Sequence, residues 1–433
     1  MRVASSQFST AGSKKGVLLK FLWTKKKLFT FEEKIIMTEN EFYTTLLNLP
    51  NLVVDSVSFQ NKKVIISCHI STKEDNCIIC KKRTTHINQY TKRTLQDLTI
   101  VGKEVSLEIR VPQFHCEDCK RYFIHELSFA DANKSYTHRQ SKWIFELCHQ
   151  QPFTEVGALV NLSNVTVQNI YFEQAKQLVK VKERFANVRK IGIDEIAHRK
   201  GKGDFCCVLT DLERGIELDI LPNRKKETIV DYFKALGTTI CEQIKVLSCD
   251  IWDTYISVAK TCFPNIEITL DRFHIVKALN ECLDAVRKSL RKDYKNVEEY
   301  KKLKWVLFKQ PQNCSEEQLV LLSNAFKQSP TLHQFYIQRN RFNDIYNKAT
   351  DSKEMKILLT VWTVQAEKLE HPILNKFIKT VRNRIEYIAS YANTRVTNAA
   401  TEGLNNLIRH VKRISFGMPD FEHLRLRVLV RSC

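Results

Sequence analysis

Three acidic residues that lie far apart in the chain are the clearest sign of chemistry in this sequence. Asp194 follows the apolar run Ile191-Gly192-Ile193, Asp250 follows Val246-Leu247-Ser248-Cys249, and Glu402 opens a basic amphipathic helix. Carboxylates that a fold brings together repel one another unless a cation lies between them, and hard cations such as Mg²⁺ prefer oxygen ligands. A pair of such ions can activate one oxygen and stabilise another in phosphoryl transfer. The sequence therefore predicts a metal-dependent enzyme that acts on phosphodiesters.

The length and the net charge of the chain constrain its number of domains and the kind of partner it binds. The chain has 433 residues, enough for two to four domains, and 43% of them are hydrophobic. Its 68 Lys and Arg against 48 Asp and Glu give a net charge of +20, which favours a polyanionic partner such as double-stranded DNA. The alternatives are a soluble basic protein without such a partner, or one that visits anionic membranes.

Cysteine usage and hydropathy indicate the compartment. Only four of the 14 cysteines form Cys-x-x-Cys pairs, and several others lie in apolar runs, as Cys206 and Cys249 do. Buried free thiols suit a reducing cytoplasm better than a secreted disulfide framework. No apolar run approaches the roughly 20 residues of a membrane span, so we expect a cytoplasmic protein with no membrane partner.

The first 36 residues differ from the rest. They contain eight Lys or Arg and two Glu, and they precede a second methionine, Met37, which is followed by a capped helix start. We expect residues 1–36 to be an extension that is disordered or that precedes the true start at Met37. The alternative is a DNA-binding arm.

Two cysteine pairs predict a zinc site within residues 37–130. Between the pairs lie 35 residues, in which Val105–Val111 alternates apolar and polar side chains as a half-buried strand does. Two such knuckles linked by a β-ribbon can aim four thiolates at one tetrahedral Zn²⁺. The alternative is structural cysteine without metal, and His86 and His115 are lesser ligand candidates. The predicted zinc ligands are Cys77, Cys80, Cys116 and Cys119.

Residues 135–185 predict a helix-turn-helix. One helical pattern ends near Leu162-Ser163, and a capped helix follows from Asn164. Its polar residues would face DNA, although any αα-hairpin has the same pattern and the alternative is plain packing. The candidate DNA contacts are Thr166, Gln168 and Asn169, with Gln174 as a further one.

Residues 186–274 predict a catalytic core with the order of a ribonuclease-H-like fold. Three strands joined by glycine turns form an antiparallel meander, and a helix, a strand, a helix and a strand follow. Such a sheet brings residues at adjacent strand ends close together. The predicted segments are strands Lys190–Glu195, Asp204–Thr210 and Ile216–Leu221, helix Lys226–Leu236, strand Lys245–Asp250, a helix from Trp252, and strand Glu267–Leu270.

The remainder of the chain reads as helical. Residues 275–390 are charged and leucine-rich, with proline breaks, and predict a helical insertion into the catalytic domain. Residues 391–433 hold the last helix, whose apolar stripe Leu404, Leu407, Ile408 and Val411 recurs at helical spacing. On the polar side of this helix, Glu402 would face the sheet. The basic residues there would contact a phosphate backbone: Arg409, Lys412 and Arg413.

Other acids near the triad compete for its roles. Strand alternation sends Glu195 to the face opposite Asp194, and Asp253 suits a helix cap. Asp271 ends a strand and precedes His274, so this pair is a second-shell or alternative metal site. The ordinary roles of Asp271 and His274 are helix capping and packing.

These residues in this order resemble the DDE transposases of bacterial insertion sequences, specifically the ISL3 group with its N-terminal zinc-binding segment. The resemblance covers roughly residues 40–431, and residues 1–36 have no counterpart in it. It implies a ribonuclease-H-like domain in which Asp194, Asp250 and Glu402 bind two Mg²⁺ or Mn²⁺ ions, and it favours Asp250 over Asp271. The motifs that carry it are Gly192-Ile-Asp-Glu195, Cys249-Asp-Ile-Trp-Asp-Thr-Tyr255, Phe263-Pro, Asp271-Arg-Phe-His274, Thr397-Asn-Ala-Ala-Thr-Glu-Gly-Leu-Asn-Asn406, Lys412-Arg413, Phe416-Gly417 and Phe421.

The sequence hypothesis is therefore a multidomain α+β and α/β transposase: zinc ribbon, helix-turn-helix, and ribonuclease-H-like core with a helical insertion. It would bind the terminal inverted repeats of an insertion sequence, cleave the DNA and transfer the freed strand to target DNA. Because two ends must be held together, we expect a homo-oligomer associated with the bacterial nucleoid. The alternatives are a non-catalytic, domesticated DNA-binding regulator and a nuclease of the same fold.

Overall fold

A computed structural model describes residues 37–199, 203–291 and 297–432. They form two compact units, one up to Ser135 and one from Tyr136 onwards. The predicted extension at residues 1–36 and most of the predicted glycine turn at residues 200–203 lie outside the described residues.

The first unit is a β-sheet with one short helix. That helix begins at a capping box, in which Thr38 accepts from the backbone of Glu41 and the Glu41 carboxylate accepts from the backbone of Thr38. The elements are α1 (Glu39–Leu47), β1 (Leu52–Phe59), β2 (Lys63–Ile70), β3 (Asp75–Asn76), β4 (Arg83–Thr84), β5 (Ile87–Ile100), β6 (Lys103–Cys116) and β7 (Arg121–Ile124).

The main sheet of this unit has the order β1-β2-β6-β5, with β7 added to the far end of β6. Strands β5 and β6 form a long antiparallel hairpin, and β2 runs parallel to β6. Alternate residues of β2 are buried, as a strand with one covered face requires. Strand β6 extends beyond the predicted Val105–Val111 because its pairing with β5 and β7 continues to Cys116.

The second unit opens with four helices. The turn between the second and third of them contains Asn161 in the left-handed conformation, and Ser163 then caps the next helix by accepting from the backbone of Thr166. Their buried faces pack together and against Leu426 and Val430 from the end of the chain. The helices are α2 (His138–Leu147), α3 (Phe153–Val160), α4 (Asn164–Leu178) and α5 (Val181–Arg184).

A five-stranded mixed sheet lies at the centre of this unit, and it confirms the predicted order of strands and helices. The strand order is β10-β9-β8-β11-β12; the first three are antiparallel, and β11 runs parallel to both β8 and β12. The elements are β8 (Lys190–Arg199), β9 (Asp204–Asp211), β10 (Ile216–Leu221), α6 (Lys226–Leu236), α7 (Thr238–Gln243), β11 (Val246–Cys249), α8 (Asp253–Cys262) and β12 (Glu267–Leu270).

One strand differs from its prediction in a way that bears on the triad. The sequence places the end of the first strand at Glu195, but β8 continues to Arg199 because β9 pairs with it as far as Asp204. Asp194 therefore lies inside a strand rather than at its end. It is still level with the ends of the neighbouring parallel strands, since Ile193 pairs with Cys249.

The predicted helical character of residues 275–390 is confirmed over the described residues. Pro330 and Pro372 each occupy the first turn of a helix, where a missing N–H costs nothing, so the predicted breaks are helix starts. The helices are α9 (Arg272–Ser289), α10 (Val297–Leu307), α11 (Glu316–Gln328), α12 (Pro330–Lys348), α13 (Ser352–Glu367), α14 (Pro372–Asn383), α15 (Ile385–Ala389) and α16 (Tyr391–Thr394).

Two last helices return to the sheet: α17 (Ala399–Ile414) and α18 (Phe421–Leu429). Ile408 and Val411 of α17 are fully buried against Ile196 and Val208 of the sheet. The predicted apolar stripe is thus the face that docks α17. No helix in the described ranges is long and apolar enough to span a bilayer.

Candidate functional site

The four predicted cysteines come together in the first unit. Their sulfur atoms all lie within 4.8 Å of one another, and Cys80 and Cys116 are 3.6 Å apart. Cys77 and Cys116 are buried, and the cluster packs beside Phe114 and Phe123. Four thiols at this separation are the donor set of a structural zinc site.

The two Cys-x-x-Cys segments share one backbone design. In each, the residue after the second cysteine adopts a left-handed conformation, Lys81 with φ 63° and Lys120 with φ 52°. This turns backbone N–H groups towards the first cysteine: those of Cys80 and Ile79 lower the pKa of the Cys77 thiol to about 7, and that of Cys119 lies 3.5 Å from Cys116 Sγ. The main chain thus favours the thiolate of Cys77, the form that binds metal. Hydrogen bonding with Cys80 and burial raise the pKa of the Cys119 thiol to about 12, so a cation would be needed to favour its thiolate. Neither His86 nor His115 belongs to this group; their rings contact each other.

Three aspartates lie level with one another at one edge of the central sheet. Cys249 of β11 pairs with Ile193 of β8 and with Leu270 of β12. An aspartate follows each of these three residues in the chain: Asp194, Asp250 and Asp271. Asp194 and Asp250 line one cleft with Asp271, and the helix α17 brings Glu402 to the same cleft. The predicted triad therefore shares one site, with Asp271 as its neighbour.

Asp194 is held by its surroundings. Its Oδ2 accepts a 2.6 Å hydrogen bond from the side-chain amide of Asn405, and its Oδ1 accepts from the backbone of Glu195 at 2.7 Å. Burial and the nearby charge of Asp250 raise the pKa of the Asp194 carboxyl, so a cation in the cleft would stabilise its ionised form. Asn405 is itself buried, although its sequence pattern put it on the polar face of α17.

Among the described residues of this cleft, the group whose ligand atoms all lie within 4.8 Å of one another is Asp250, Asp271 and His274. Asp194 and Glu402 line the same cleft but are not part of that group. His274 Nδ1 lies 2.7 Å from Asp250 Oδ1 and 3.0 Å from Asp271 Oδ2. One N–H can point at only one oxygen, and its geometry suits Asp271. Burial lowers the pKa of His274, but the two carboxylates outweigh it and raise that pKa to about 10.

This arrangement fits a divalent cation. Asp250 Oδ1 is buried and has no well-oriented hydrogen-bond donor in the described part of the chain, and the same is true of Asn405 Oδ1. Buried oxygens without donors are costly unless a cation or water meets them. Carboxylate oxygens in a polar cleft are the donors that Mg²⁺ and Mn²⁺ prefer.

A glycine allows α17 to approach the sheet. A Cβ at Gly192 would lie 2.8 Å from Leu212 Cδ2, 3.0 Å from Thr401 Oγ1 and 3.3 Å from Asn398 Oδ1. Thr401 and Asn398 are at the start of α17, next to Glu402, so only glycine permits this contact without displacement. The sequence prediction of site residues did not include Gly192 and Asn405, although both lie inside the motifs that carry the family resemblance.

The competing acids have other partners. Glu195 pairs with Arg224 but still borders the cleft, despite the alternation of the strand. Asp253 is the first residue of α8 rather than its cap, which is Trp252, and it pairs with Arg384. Asp271 occupies the cap position of α9, yet its side chain bonds to His274 and to the backbone of Asn398 instead of capping the helix.

The edge of the cleft is cationic. Arg272, Lys277 and Arg409 line it together with the acids. Arg409 is exposed on α17, as is Arg413, whereas Lys412 donates to the backbone carbonyls of Ala197 and His198. A surface that places cations around a carboxylate cluster suits a phosphodiester whose reacting phosphate meets the acids.

The predicted contacts on α4 have mixed exposure. Asn169 is exposed, Thr166 and Gln168 are half-buried, and the Thr166 hydroxyl lies 2.8 Å from Ser163 Oγ at the helix start. Gln174 donates to Ser141 of α2 at 2.7 Å, so it links two helices. The helices α3 and α4 pack against each other, as the sequence pattern requires, and their role in DNA recognition stays a prediction.

Two family models match the chain. The first, described as a transposase and built on the ISL3 group of DDE enzymes, matches residues 191–428 and so includes Asp194, Asp250 and Glu402. The second, described as the zinc-finger of transposase IS204/IS1001/IS1096/IS1165, matches residues 73–119, which include all four clustered cysteines.

Individual relatives agree with the family models. The transposase for insertion sequence element IS1001 of Bordetella parapertussis is 24% identical over 360 residues, which cover 81% of this chain and 87% of that protein. The transposase for insertion sequence element IS1557 of Mycobacterium tuberculosis is 24% identical over 349 residues, 72% of this chain and 76% of that protein.

Proposed function

This chain belongs to the ISL3 family of DDE transposases, a catalytic family, and from that premise we propose its reaction in detail. It binds the terminal inverted repeats of an insertion sequence, cleaves DNA at those ends, and joins the freed 3′ ends to target DNA. The observation that carries the proposal is the cleft of the second unit, which Asp194, Asp250 and Glu402 line together.

In this proposal each acid has a defined task. Asp194, Asp250 and Glu402 hold two Mg²⁺ or Mn²⁺ ions, which supply charge stabilisation to the phosphate as its bonds change. Asn405 fixes the orientation of Asp194 through its 2.6 Å hydrogen bond. Asp271 and His274 adjoin Asp250, at 2.7 Å for the nearest pair, and act as supporting residues that keep it in place.

The cations position the substrate. Arg272, Lys277 and Arg409 contact backbone phosphates on either side of the scissile bond, and Arg413 extends this contact along α17. Lys412 holds α17 against β8, because its ammonium group donates to the carbonyl oxygens of Ala197 and His198. Only an N–H that these two bonds do not use contacts DNA. The cleft is open and polar enough for a DNA backbone, with a volume of about 680 Å³.

The upstream modules recognise the ends. In the proposal α3 and α4 form a helix-turn-helix whose α4 presents Thr166, Gln168 and Asn169 to the major groove. The four-cysteine ribbon binds structural Zn²⁺ and contacts the same end DNA. Since two ends are processed together, the working form is a homo-oligomer of at least two copies.

One experiment tests this function. Purified chain is incubated with labelled duplex carrying the end of its genetic element, with Mg²⁺, and nicks and joined products are mapped. We expect nicks at the element boundary, with strand joining. The variant Asp194→Ala should bind this DNA but not cut it, because the carboxylate cluster is broken.

The matched control is Asp253→Ala, which removes an equal charge from an exposed site near the cleft. It should cleave like the natural chain. Cleavage that persists in Asp194→Ala would refute the triad, binding without any cleavage by the natural chain would favour a non-catalytic regulator, and cutting without joining would favour a nuclease.

A further inference from the structure

Phe416, in the turn after α17, is an aromatic residue that the fold places in solvent. Its side chain is 81% exposed, more than any other phenylalanine, tyrosine or tryptophan among the exposed residues of the described chain. We propose that Phe416 inserts its ring into the base stack of DNA next to the cleavage site. This inference rests on the proposed DNA-cleaving function and adds to it a residue that deforms the substrate.

The backbone at this turn is unusual for phenylalanine. Phe416 has φ 47° and Gly417 has φ 87°, so two consecutive residues adopt positive φ values. Glycine and asparagine tolerate this conformation, whereas a bulky side chain at positive φ is rare. A helix that ends in this way normally carries glycine at the first left-handed position.

The turn itself has no need of a phenylalanine. Its hydrogen bonds come from the main chain: the N–H of Phe416 donates to Arg413 O at 3.2 Å, and the N–H of Ser415 donates to Val411 O at 3.1 Å. Any residue supplies these bonds, and the exposed ring adds little packing. Val101 in the β5–β6 turn has the same backbone, so the turn alone does not assign a function. What distinguishes Phe416 is an exposed aromatic ring next to the cations of α17.

The position of the ring indicates what it meets. Glu402, Arg409 and Arg413 recur at i, i+7 and i+11, so they share one side of α17. That side begins with the cleft acid, continues with exposed arginines and ends at the Phe416 turn. A polyanion complements this surface better than an apolar protein partner, which would have to bury the arginines.

The distance limits where the ring can act. Phe416 lies fourteen positions after Glu402, and α17 continues from Glu402 to Ile414. At 1.5 Å per residue this stretch of helix is roughly 18 Å long, with the turn beyond it. One turn of B-DNA is about 34 Å, so the ring reaches the duplex within one turn of the cleaved phosphate. Phenylalanine is among the side chains that act as wedges between base steps, and unstacking there would bend DNA towards the cleft.

The test uses the full-length chain and DNA duplexes that carry the end of the element. In each duplex 2-aminopurine replaces one base, at positions that cover one helical turn on each side of the cut. The fluorescence of 2-aminopurine rises when the base is unstacked. We expect one or two adjacent positions to brighten with the natural chain and with Phe416→Tyr. Phe416→Asn should abolish that signal and slow cleavage roughly ten- to hundredfold, the range of losing one stacked base. Its melting temperature should be unchanged or higher, because asparagine suits the turn.

The matched control is Val101→Asn in the β5–β6 turn, where an exposed valine with φ 48° also precedes a glycine with φ 70°. It should match Phe416→Asn in melting temperature and keep both fluorescence and cleavage. Cleavage without brightening at any position, or equal brightening in Phe416→Asn, would overturn the inference and leave the proposed function intact. A change of oligomeric state in Phe416→Asn without DNA would assign the ring to a protein interface and would also overturn the inference. Failure of the natural chain to cleave would overturn both the inference and the proposed function.

Discussion

The molecule contains two candidate metal centres that are built in opposite ways. The four thiols of the first unit come from two short segments with the same local turn, and main-chain N–H groups favour the thiolate form of Cys77. The carboxylates of the second unit come from β8, β11 and α17, and burial with mutual repulsion raises the pKa of Asp194. Each half of the first centre is shaped by a local turn, and long-range pairing only has to bring the two halves together. Every ligand of the second centre depends on the tertiary fold.

This difference indicates how each centre tolerates change. A local knuckle holds its geometry through its own turn, so its weak point is the loss of a ligand. The carboxylate cleft depends on the strand register, on the approach of α17 and on the bonds that orient each acid. We therefore expect it to be sensitive to substitutions that leave every acid in place.

The largest expected effect separates Asp250 from Asp271. Asp250→Asn should lower the rate of end cleavage on the order of 10³-fold, because a metal ligand supplies several kcal/mol of charge stabilisation. Asp271→Asn should cost about tenfold to a hundredfold, as a supporting residue does. Single-turnover cleavage of end DNA in Mg²⁺ measures both, and the reverse order would identify Asp271 as the ligand.

The addition of one methyl group at Gly192 should lower the rate of end cleavage. Gly192→Ala places a Cβ 2.8 Å from Leu212 Cδ2 and 3.0 Å from Thr401 Oγ1. The Leu212 side chain must therefore move, and the start of α17, which carries Glu402, is pushed by a few tenths of an ångström. A displacement of about 1 Å at a reacting group can cost on the order of 10²-fold in rate. Gly403→Ala is the control, since a Cβ there meets nothing within 4 Å; equal cleavage by the two variants would show that close packing of α17 is unimportant.

Replacement of one clustered cysteine should reduce zinc binding in the first unit and leave the carboxylate cleft of the second unit unchanged. Cys80→Ser should reduce bound zinc from about one ion per chain to little or none, because structural sites require all four ligands. Metal analysis and limited proteolysis of the first unit report this, and Cys241→Ser, a buried cysteine outside the cluster, is the control. A purified natural chain without zinc would contradict the assignment directly.

The smallest expected effect is at Asn405. Asn405→Ala removes the 2.6 Å bond to Asp194 and should slow cleavage by about tenfold, with little loss of DNA binding. Asn375→Ala makes the same chemical change at an exposed position of α14 and should have no effect. A cleavage rate unchanged in Asn405→Ala would mean that Asp194 needs no orienting partner.

Much of the fold follows from local pattern. The bounds of β10, α6 and β12 agree with their predictions, because alternation, helical periodicity and flanking turn residues each act over a few positions. The end of β8 does not, since its length depends on pairing with β9, a partner that no local pattern specifies. The same is true of Asn405, which its helix pattern assigns to solvent and the packing of α17 buries.

The sequence by itself determined which four cysteines come together, the order of the strands, and the family, whereas the metal ligands of the second centre stay a prediction. Cysteine spacing suffices for the zinc site because two residues between cysteines leave the backbone few ways to arrange the sulfurs. Only the tertiary structure decided that Asp194, Asp250 and Asp271 lie level, that Gly192 admits α17, and that Asn405 reaches Asp194. These contacts join elements far apart in the chain, and their distances depend on register and side-chain packing, which spacing does not encode.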